Sequence, residues 1–215
     1  MNEVSLNKTV TYNCLKKVVE LMNIEKIVEE IKKGNLVITP TDTVYGILAD
    51  ATNIHAIKKV YEAKKRDYNN PFILIVANIN MLQEYVSDIN PLEKEIINRY
   101  LPGKLTILFK KNTKISNIIT SGSEFVGIRI PDNKDLIKII QMVGKPLIST
   151  SANIAKKATI TKIKEIEPEL LQNVSYVEDG GIINSTPSSI IRIENNKINV
   201  LRKGTISDEI LRNYT

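Results

Sequence analysis

Apolar positions recur at helical spacing in several segments of the chain. Ile24, Ile27, Val28 and Ile31 fall on one face of a helix, and Gly34 follows as a residue type that commonly ends helices. The same periodicity, with an Asn-Pro helix start in one case, predicts further helices over residues 53–64, from residues 90–91 onward, and over residues 134–142.

Uninterrupted apolar runs between these helices predict buried strands. The run at residues 36–38 ends before Pro40, and the run at residues 72–76 is typical of a strand that is covered on both faces. Asn195-Asn196 separates two apolar runs, which predicts a hairpin. The remaining strands are predicted over residues 105–109, 126–130, 146–150, 189–193 and 198–202. Together the elements predict an α/β fold with a mixed sheet.

The chain length indicates a single domain. A chain of 215 residues with 42% hydrophobic residues can bury one substantial core. No internal repeat, low-complexity linker or shift in composition marks a second domain. We therefore expect an N-terminal extension at residues 1–22 and one domain at residues 23–215.

The charge balance favours an anionic partner without identifying it. The formal net charge is +6 and the isoelectric point is about 9.2. Nucleotides, RNA and acidic proteins would all suit such a surface. Because most lysines neighbour Glu or Asp on the predicted helices, a solvated charged face is the simpler explanation.

Cysteine and histidine usage excludes several kinds of site. Cys14 is the only cysteine, so the chain has neither an internal disulfide nor a cysteine-cluster metal site. His55 is the only histidine, which excludes two-imidazole zinc sites, and we expect it to lie on the surface at a helix start. No apolar run approaches the roughly 18 residues that span a bilayer, and the N-terminus lacks a signal-peptide core. A cytoplasmic protein without a membrane contact is the expectation.

The common nucleotide-binding motifs are absent. Gly103-Lys104 is followed by Leu105, which has no hydroxyl for the magnesium ion of a phosphate-binding loop. Gly122 and Gly127 are too far apart for a dinucleotide-binding fingerprint. Any nucleotide site must therefore be built in another way.

Two polar segments follow predicted strands or helices in the first third of the chain. Residues 39–46 place three threonines and a proline directly after a strand, where they could hold a small polar substrate or simply form a capped turn. Lys64 and Arg66, with Asn70 shortly after, suit a polyphosphate. The alternative is a helix end whose cations complement the helix dipole.

Two more segments with candidate binding residues lie in the second half of the chain. Arg129 stands within an apolar strand, where an unpaired charge is costly, so it should meet either a substrate carboxylate or an Asp or Glu at the edge of the core. Residues 146–153 end in Ser149, Thr150, Ser151 and Asn153, which could bind phosphate oxygens or a purine. These side chains could equally cap the following segment.

Taken together and in this order, the segments resemble the YrdC-like family of threonylcarbamoyl-AMP synthases over about residues 24–207. The most specific parts are residues 40–46, Lys64-x-Arg66 with Asn70-Pro71, and residues 149–153. The supporting parts are residues 101–103, 127–131, 179–181, 187–191 and Leu201-Arg202-x-Gly204.

The resemblance implies a fold and a reaction. The fold would be a twisted mixed β-sheet with flanking helices around a basic concave pocket. The reaction would join L-threonine, bicarbonate and ATP, accompanied by Mg²⁺, into threonylcarbamoyl-AMP and pyrophosphate. The product would pass to a tRNA threonylcarbamoyl transferase complex for tRNA modification, and direct contact with tRNA stays open. Positioning and neutralisation of phosphate charge would supply most of the catalysis.

The resemblance also assigns roles by position. Thr41, Arg129 and Ser149 would bind threonine, with Arg129 clamping its carboxylate through two hydrogen bonds. Lys64 and Arg66 would be the catalytic residues on the ATP phosphates. Further nucleotide contacts would be Asn70, Ser151, Asn153, Thr159, Ser188 and Arg202. No carboxylate stands out as a dedicated metal ligand.

Four positions depart from the family's pattern. They are Asp67 after Lys-x-Arg, Phe125 where a threonine that contacts ATP is common, Ala155-Lys156 in place of Ser-Gly, and Arg192 in place of aspartate. These departures leave open a family paralogue with a different substrate or an RNA-binding function. Against RNA binding, aromatic residues make up only 5% of the chain and do not interleave with the basic segments.

Overall fold

Ten strands form one mixed sheet in the computed structural model, which describes residues 11–12, 22–206 and 214. The strands are β1 (Thr11–Tyr12), β2 (Leu36–Thr39), β3 (Gly46–Asp50), β4 (Ile73–Ile75), β5 (Leu105–Lys110), β6 (Phe125–Arg129), β7 (Leu147–Ser151), β8 (Val174–Val177), β9 (Ser189–Glu194) and β10 (Lys197–Arg202). Their order across the sheet is β1-β8-β2-β3-β7-β4-β6-β5-β9-β10. The sheet contains parallel pairs such as β4–β6 and β5–β9 as well as antiparallel pairs such as β5–β6, so the predicted mixed α/β sheet is confirmed.

Seven α-helices flank the sheet in the described part of the chain. They are α1 (Ile24–Lys32), α2 (Ile54–Lys64), α3 (Ile79–Gln83), α4 (Pro91–Tyr100), α5 (Asn117–Thr120), α6 (Lys134–Val143) and α7 (Pro168–Leu171). Asparagines begin several of them. Asn53 accepts from the backbone of α2, and Asn90 forms a reciprocal capping box with Glu93 at the start of α4.

The two faces of the sheet are covered differently. On one face, α1 and α6 pack against β2, β3, β4 and β7 through an apolar cluster that includes Ile27, Ile139, Leu48 and Leu147. Among the described residues, this cluster contains none from β5, β6 or β9. The other face carries the larger core with α2 and α4. Cover by α1 and α6 therefore ends halfway across the sheet, and a cleft can form beside them.

The predicted helices and strands are all present, with ends that differ by a few residues. The strands β1, β3 and β8 and the short helices α3, α5 and α7 were not predicted from the sequence. His55 is exposed in the first turn of α2, as expected. Within the ranges described, no helix combines the length and apolarity that crossing a bilayer requires.

The division into an extension and a domain stays a prediction. Of residues 1–22, only 11–12 and 22 are described, and Thr11–Tyr12 pairs in parallel with β8. Cys14 lies outside the described residues.

Candidate active site

A cleft with a cavity of about 210 Å³ opens on the α1/α6 face of the sheet. Its hydroxyl-bearing lining residues are Thr41, Thr43, Thr106, Ser149, Thr150, Ser151, Thr159 and Ser188, and its cations are Arg66, Arg129 and Arg202. Among the residues that the structure describes, no carboxylate lines it. Such a lining suits an anion with many oxygen atoms.

The loop after β2 presents the first hydroxyls. Thr41 Oγ1 accepts from the backbone nitrogens of Thr43 at 3.0 Å and Val44 at 3.1 Å, and it donates to the Val44 carbonyl at 2.6 Å. Gly46 stands directly behind, where a Cβ atom would lie 3.0 Å from Thr41 Cγ2 and 3.6 Å from Ser149 Oγ. Glycine at position 46 therefore keeps open the space between Thr41 and Ser149, the two residues that we predict to contact the substrate threonine.

Arg129 is held from two sides by the protein. Its Nε donates to the Gly103 carbonyl at 2.8 Å, and its Nη2 forms an ion pair with the Asp42 carboxylate. Both ionised side chains are only 8% exposed. Burial lowers the pKa of Arg129, and the neighbouring Asp42 opposes that shift. Of the two partners predicted for Arg129, the structure contains the acidic side chain, and the substrate carboxylate stays a prediction.

Lys64 lies behind the cleft and does not line it. It is 1% exposed, and its ammonium donates to the carbonyl oxygens of Ser151 and of Asn153, the latter at 2.6 Å. Burial, together with the charge of Arg66, lowers the pKa of Lys64 to about 7. Carbonyl acceptors stabilise the ammonium and oppose this shift. The contacts make Lys64 a support for the loop after β7.

Asn153 and its neighbours complete this loop. The Asn153 side chain accepts from Ser151 Oγ and donates to the Lys157 carbonyl, both at 2.5 Å. The backbone nitrogen of Ala155 donates to the Lys64 carbonyl at 2.8 Å. Because these bonds join both sides of the loop to α2, the position of Ser151 in the cleft depends on Lys64.

Arg66 reaches the cleft from the end of α2. Its Nε and Nη2 donate to the carbonyls of Asn70 at 3.1 Å and Pro71 at 2.8 Å, and its guanidinium lies 5.0 Å from the Phe72 ring centroid. Asn70 thus contacts Arg66 through its backbone, and its side chain does not line the cleft. Burial lowers the pKa of Arg66. In the described part of the chain no carboxylate forms an ion pair with Arg66, so its partly buried charge favours an anionic ligand.

A third cationic group stands at the end of β10. Arg202 donates through Nε and Nη2 to the Ser188 carbonyl at 3.1 and 2.8 Å, and Nη2 also reaches Ser188 Oγ at 3.1 Å. Thr106 Oγ1 lies 2.9 Å from the same Ser188 oxygen. Thr106 is a residue that sequence reasoning missed. The sequence feature that could have identified Thr106 is its position as the one polar residue in the otherwise apolar strand predicted over residues 105–109.

The structure brings most of the predicted site residues into one cleft. Those that line it are Thr41, Arg66, Arg129, Ser149, Ser151, Thr159, Ser188 and Arg202. Asn153 and Thr159 line a neighbouring cavity. Lys64 is buried behind the cleft, and Asn70 is exposed beside Arg66, to which it contributes its backbone carbonyl. Their roles toward substrates stay predictions.

The departures from the family pattern have separate structural settings. Asp67 is exposed and accepts from the backbone nitrogen of Asn69 at 2.8 Å, within its own turn. Lys156 has a φ of 70°, in the left-handed region that glycine adopts without strain. Phe125 and Arg192 stack on each other, with 3.8 Å between Arg192 Cζ and the ring centroid.

We expect Thr106→Val to lower kcat/KM about three- to tenfold, because the isosteric change removes one hydrogen bond that holds the Ser188 hydroxyl in the cleft. Steady-state kinetics of the pyrophosphate release that the family resemblance implies would measure it. Thr106→Ser keeps the hydroxyl and should stay near wild-type activity. Equal rates for the Val and Ser variants would contradict a role for this hydroxyl.

The structure thus defines an α/β protein with a mixed sheet and a hydroxyl-rich cleft that contains three guanidinium groups. The sequence model of the Sua5/YciO/YrdC family, described as "Telomere recombination", matches residues 29–204. The chain belongs to this family, and the resemblance noted in the sequence is confirmed.

Relatives of the chain carry a consistent name. A Methanocaldococcus jannaschii protein named "Putative threonylcarbamoyl-AMP synthase" is 43% identical over 89% of this chain and 87% of its own length. A Bacillus subtilis threonylcarbamoyl-AMP synthase is 33% identical over 83% of this chain and 52% of its own length. The structure of Pyrococcus abyssi Sua5 complexed with L-threonine matches with a TM-score of 0.84 and 29% identity, over 89% of this chain and 56% of that one. The chain thus spans about half of these two longer relatives.

Proposed function

We propose that the chain is a threonylcarbamoyl-AMP synthase that acts on L-threonine, bicarbonate and ATP. The observation that carries the proposal is the convergence of Arg66, Arg129 and Arg202 with serine and threonine hydroxyls in one cleft. These are the positions at which the sequence matches the family's motifs. The name shared by relatives at up to 43% identity supports the activity, and the threonine held by Pyrococcus abyssi Sua5 supports the amino acid.

The reaction has two bond-forming steps. Threonine and bicarbonate first give an N-carboxylated threonine, with release of a water molecule and a proton. A carbamate oxygen then attacks the α-phosphorus of ATP, and the bond from that phosphorus to the bridging oxygen of the β-phosphate breaks. Pyrophosphate leaves, and threonylcarbamoyl-AMP remains. Neither step needs a covalent bond to the protein, so positioning and charge neutralisation are its main contributions.

The amino acid fits at Arg129. The threonine carboxylate would bind the Arg129 guanidinium, which lines the cleft beside Thr43, whose Oγ1 lies 3.4 Å from Nη1. Since Asp42 already pairs with Nη2, substrate binding must either share or displace that contact. Thr41 and Ser149, on either side of Gly46, would contact the rest of the molecule.

The nucleotide phosphates fit between the other two guanidinium groups. Arg66 stands on the β7 side with Ser151, and Arg202 stands on the β10 side with Ser188. Lys64 would act by holding the loop that carries Ser151, and its position would bring positive charge close to the phosphates without direct contact. Asn153 would act through the same loop.

Magnesium would enter with ATP. Among the residues described, no group of three or more His, Cys, Asp and Glu side chains could hold a metal ion. Mg²⁺ commonly keeps several waters and binds mainly through substrate phosphates, which a cleft lined with hydroxyls can accommodate. The cleft residues therefore fit Mg·ATP as a substrate complex.

Chelation should stop turnover without changing the protein. With EDTA in excess over Mg²⁺, we expect pyrophosphate release to fall to background and to return in full when Mg²⁺ is added. Elemental analysis of the dialysed protein should find no stoichiometric metal. A tightly held metal that survives dialysis, or full turnover of metal-free ATP, would contradict this assignment.

The product would be handed to a tRNA threonylcarbamoyl transferase complex, which we place with the enzyme in the cytoplasm. The direct test of the proposed function is product analysis with ¹⁴C-bicarbonate. One labelled carbon, one threonine and one AMP should appear in a single species. Label that enters no adenylate, with ATP and threonine unchanged, would contradict the proposal.

A further inference from the structure

The end of β10 reaches the cleft face of the sheet. A register shift after Val200 places Arg202 opposite Ile190 on β9. On its other side Ile190 pairs with Thr106, which lines the cleft. Directly paired strand residues share a face of the sheet, so Arg202 lies on the cleft face. There its guanidinium donates to the carbonyl and to the hydroxyl of Ser188.

A few residues later the same chain bonds the opposite face of β9. The backbone nitrogen of Ile206 donates to Ser189 Oγ at 3.1 Å, and the Ile206 carbonyl accepts from the same hydroxyl at 3.3 Å. Successive residues of an extended chain point to opposite faces, so Ser189 faces away from the cleft and Ser188 faces it. Ser189 is fully buried, and Ile206 packs against the larger core on that second face. Residues 202–206 therefore form a hook that holds the start of β9 from both faces.

The hook crosses the backbone at the start of β9 through Gly204. A Cβ atom at this position would lie 2.4 Å from the Ser189 nitrogen. It would also lie 2.5 Å from the Pro187 carbonyl oxygen and from the Ser188 carbonyl carbon. All three are backbone atoms, so no change of rotamer could relieve the contact. The close approach of the two backbones requires glycine, and any larger residue would push the hook away from Ser188.

The position of Ser188 depends on this hook. Residues 178–188 connect β8 to β9 without helix or strand, and residues 179–182 and 186–187 are exposed. A segment with so few buried contacts does little to fix the residue at its end. Ser188 is nevertheless buried, and its hydroxyl lies 2.9 Å from Thr106 Oγ1 in the cleft. The contacts that place it there come from β5 and from the hook.

We propose that the hook is a positioning device for the nucleotide phosphates, in which Gly204 and Ser189 set the places of Ser188 and Arg202. The inference rests on the proposed function, which puts the phosphates at these last two side chains. Neither Gly204 nor Ser189 lines the cleft, so both act through the two residues that do. A displacement of about 1 Å at such groups can lower a reaction rate about 100-fold.

The test uses two variants that leave every side chain of the cleft unchanged. Ser189→Ala removes both bonds to Ile206, and Gly204→Ala pushes the two backbones apart. Isothermal titration would measure the affinity for Mg·ATP and for L-threonine. In each variant we expect the affinity for Mg·ATP to fall about five- to tenfold, as the loss of one hydrogen bond to a phosphate implies, and the affinity for L-threonine to change less than about twofold. Ser189→Thr keeps the hydroxyl and should bind Mg·ATP close to the wild type.

A matched glycine lies away from the cleft. Gly144 caps α6 with a φ of 77°, so Gly144→Ala strains the backbone and should lower the melting temperature. Because Gly144 does not line the cleft, this variant should keep both affinities, which separates lost stability from lost positioning. Hydrogen exchange gives a readout without any ligand. The backbone amide of Ile206 should exchange faster in Ser189→Ala than in the wild type or in Gly144→Ala.

Three results would overturn the inference. The affinity for Mg·ATP could stay unchanged in Ser189→Ala and Gly204→Ala, it could fall equally in Gly144→Ala, or the affinity for L-threonine could fall in parallel. In each case the hook would serve only the stability of the fold. If the folded wild type binds no Mg·ATP, the proposed function fails and the inference fails with it. Binding of Mg·ATP that the hook variants leave unchanged overturns the inference alone.

Discussion

Arg129→Ala should abolish threonine-dependent pyrophosphate release, with a loss of at least about 100-fold in kcat/KM. The change removes the buried guanidinium that would hold the threonine carboxylate, and a charge-assisted pair of this kind is among the strong hydrogen bonds in proteins. It also leaves the buried Asp42 carboxylate without its partner. Breaking a buried pair in this way typically costs about 3–5 kcal/mol, so the melting temperature should fall as well. Steady-state kinetics and thermal melting measure the two effects.

A second variant separates folding from binding. The double change Arg129→Ala with Asp42→Asn removes both charges, so the free energy of unfolding should recover much of the loss seen in Arg129→Ala alone. Activity should stay lost, because no cation remains for the substrate carboxylate. Recovery of activity together with stability would mean that Arg129 serves only the fold. Full activity of the single Ala variant would contradict its role altogether.

Lys64→Met should raise the KM for ATP at least about tenfold, although Lys64 does not line the cleft. Methionine can fill the space of the lysine stem, but it cannot donate to the carbonyls of Ser151 and Asn153. Each buried acceptor left unpaired costs about 1–3 kcal/mol, which the loop can relieve by moving, and Ser151 would move with it. Kinetics at varied ATP concentration would measure the effect.

The control for Lys64 is its neighbour. The Lys65 side chain is 59% exposed and pairs with Glu169 on the surface, an interaction of at most about 1 kcal/mol. Lys65→Ala should leave the KM for ATP unchanged. If Lys64→Met and Lys65→Ala behaved alike, a general loss of positive charge would explain both, and the loop argument would be wrong.

The ionisation of Lys64 also predicts a pH profile. Burial lowers its pKa from 10.5 to about 7, so the ammonium loses its proton as the pH rises through this value and above. The neutral amine donates fewer hydrogen bonds, so kcat/KM for ATP should decline on the alkaline side. Lys64→Arg does not titrate in this range, so any activity that it retains should lack the decline.

The outline of the fold could be predicted from hydrophobic patterning because its helices and buried strands are strongly periodic. The strand β3 was not predicted because its apolar run is short: only Ile47, Leu48 and Ala49 stand between Gly46 and Asp50. The strand β8 has a mixed pattern that includes Ser175. Such strands are defined by their neighbours in the sheet, which a single sequence does not display.

The site could be predicted as a set of positions but not as a set of contacts. The pattern located a cation inside an apolar strand at Arg129 but could not choose its partner, since Asp42 is 87 residues away. Likewise, the sequence shows Lys64 and Arg66 only as two cations near the end of a predicted helix and does not distinguish their roles. The chain takes a left-handed conformation at Lys65, with φ at 48°, and Lys64 is then buried under the loop while Arg66 faces the cleft.

The proposed synthase activity is tested by measuring pyrophosphate release from Mg·ATP and bicarbonate by the wild-type chain, with threonine, serine or no amino acid. We expect release that depends on both threonine and bicarbonate, and that is strongly reduced in Arg129→Ala but not in Arg99→Ala, a variant outside the cleft. Release that is the same with and without threonine, or no release from a folded protein, would contradict the proposed activity.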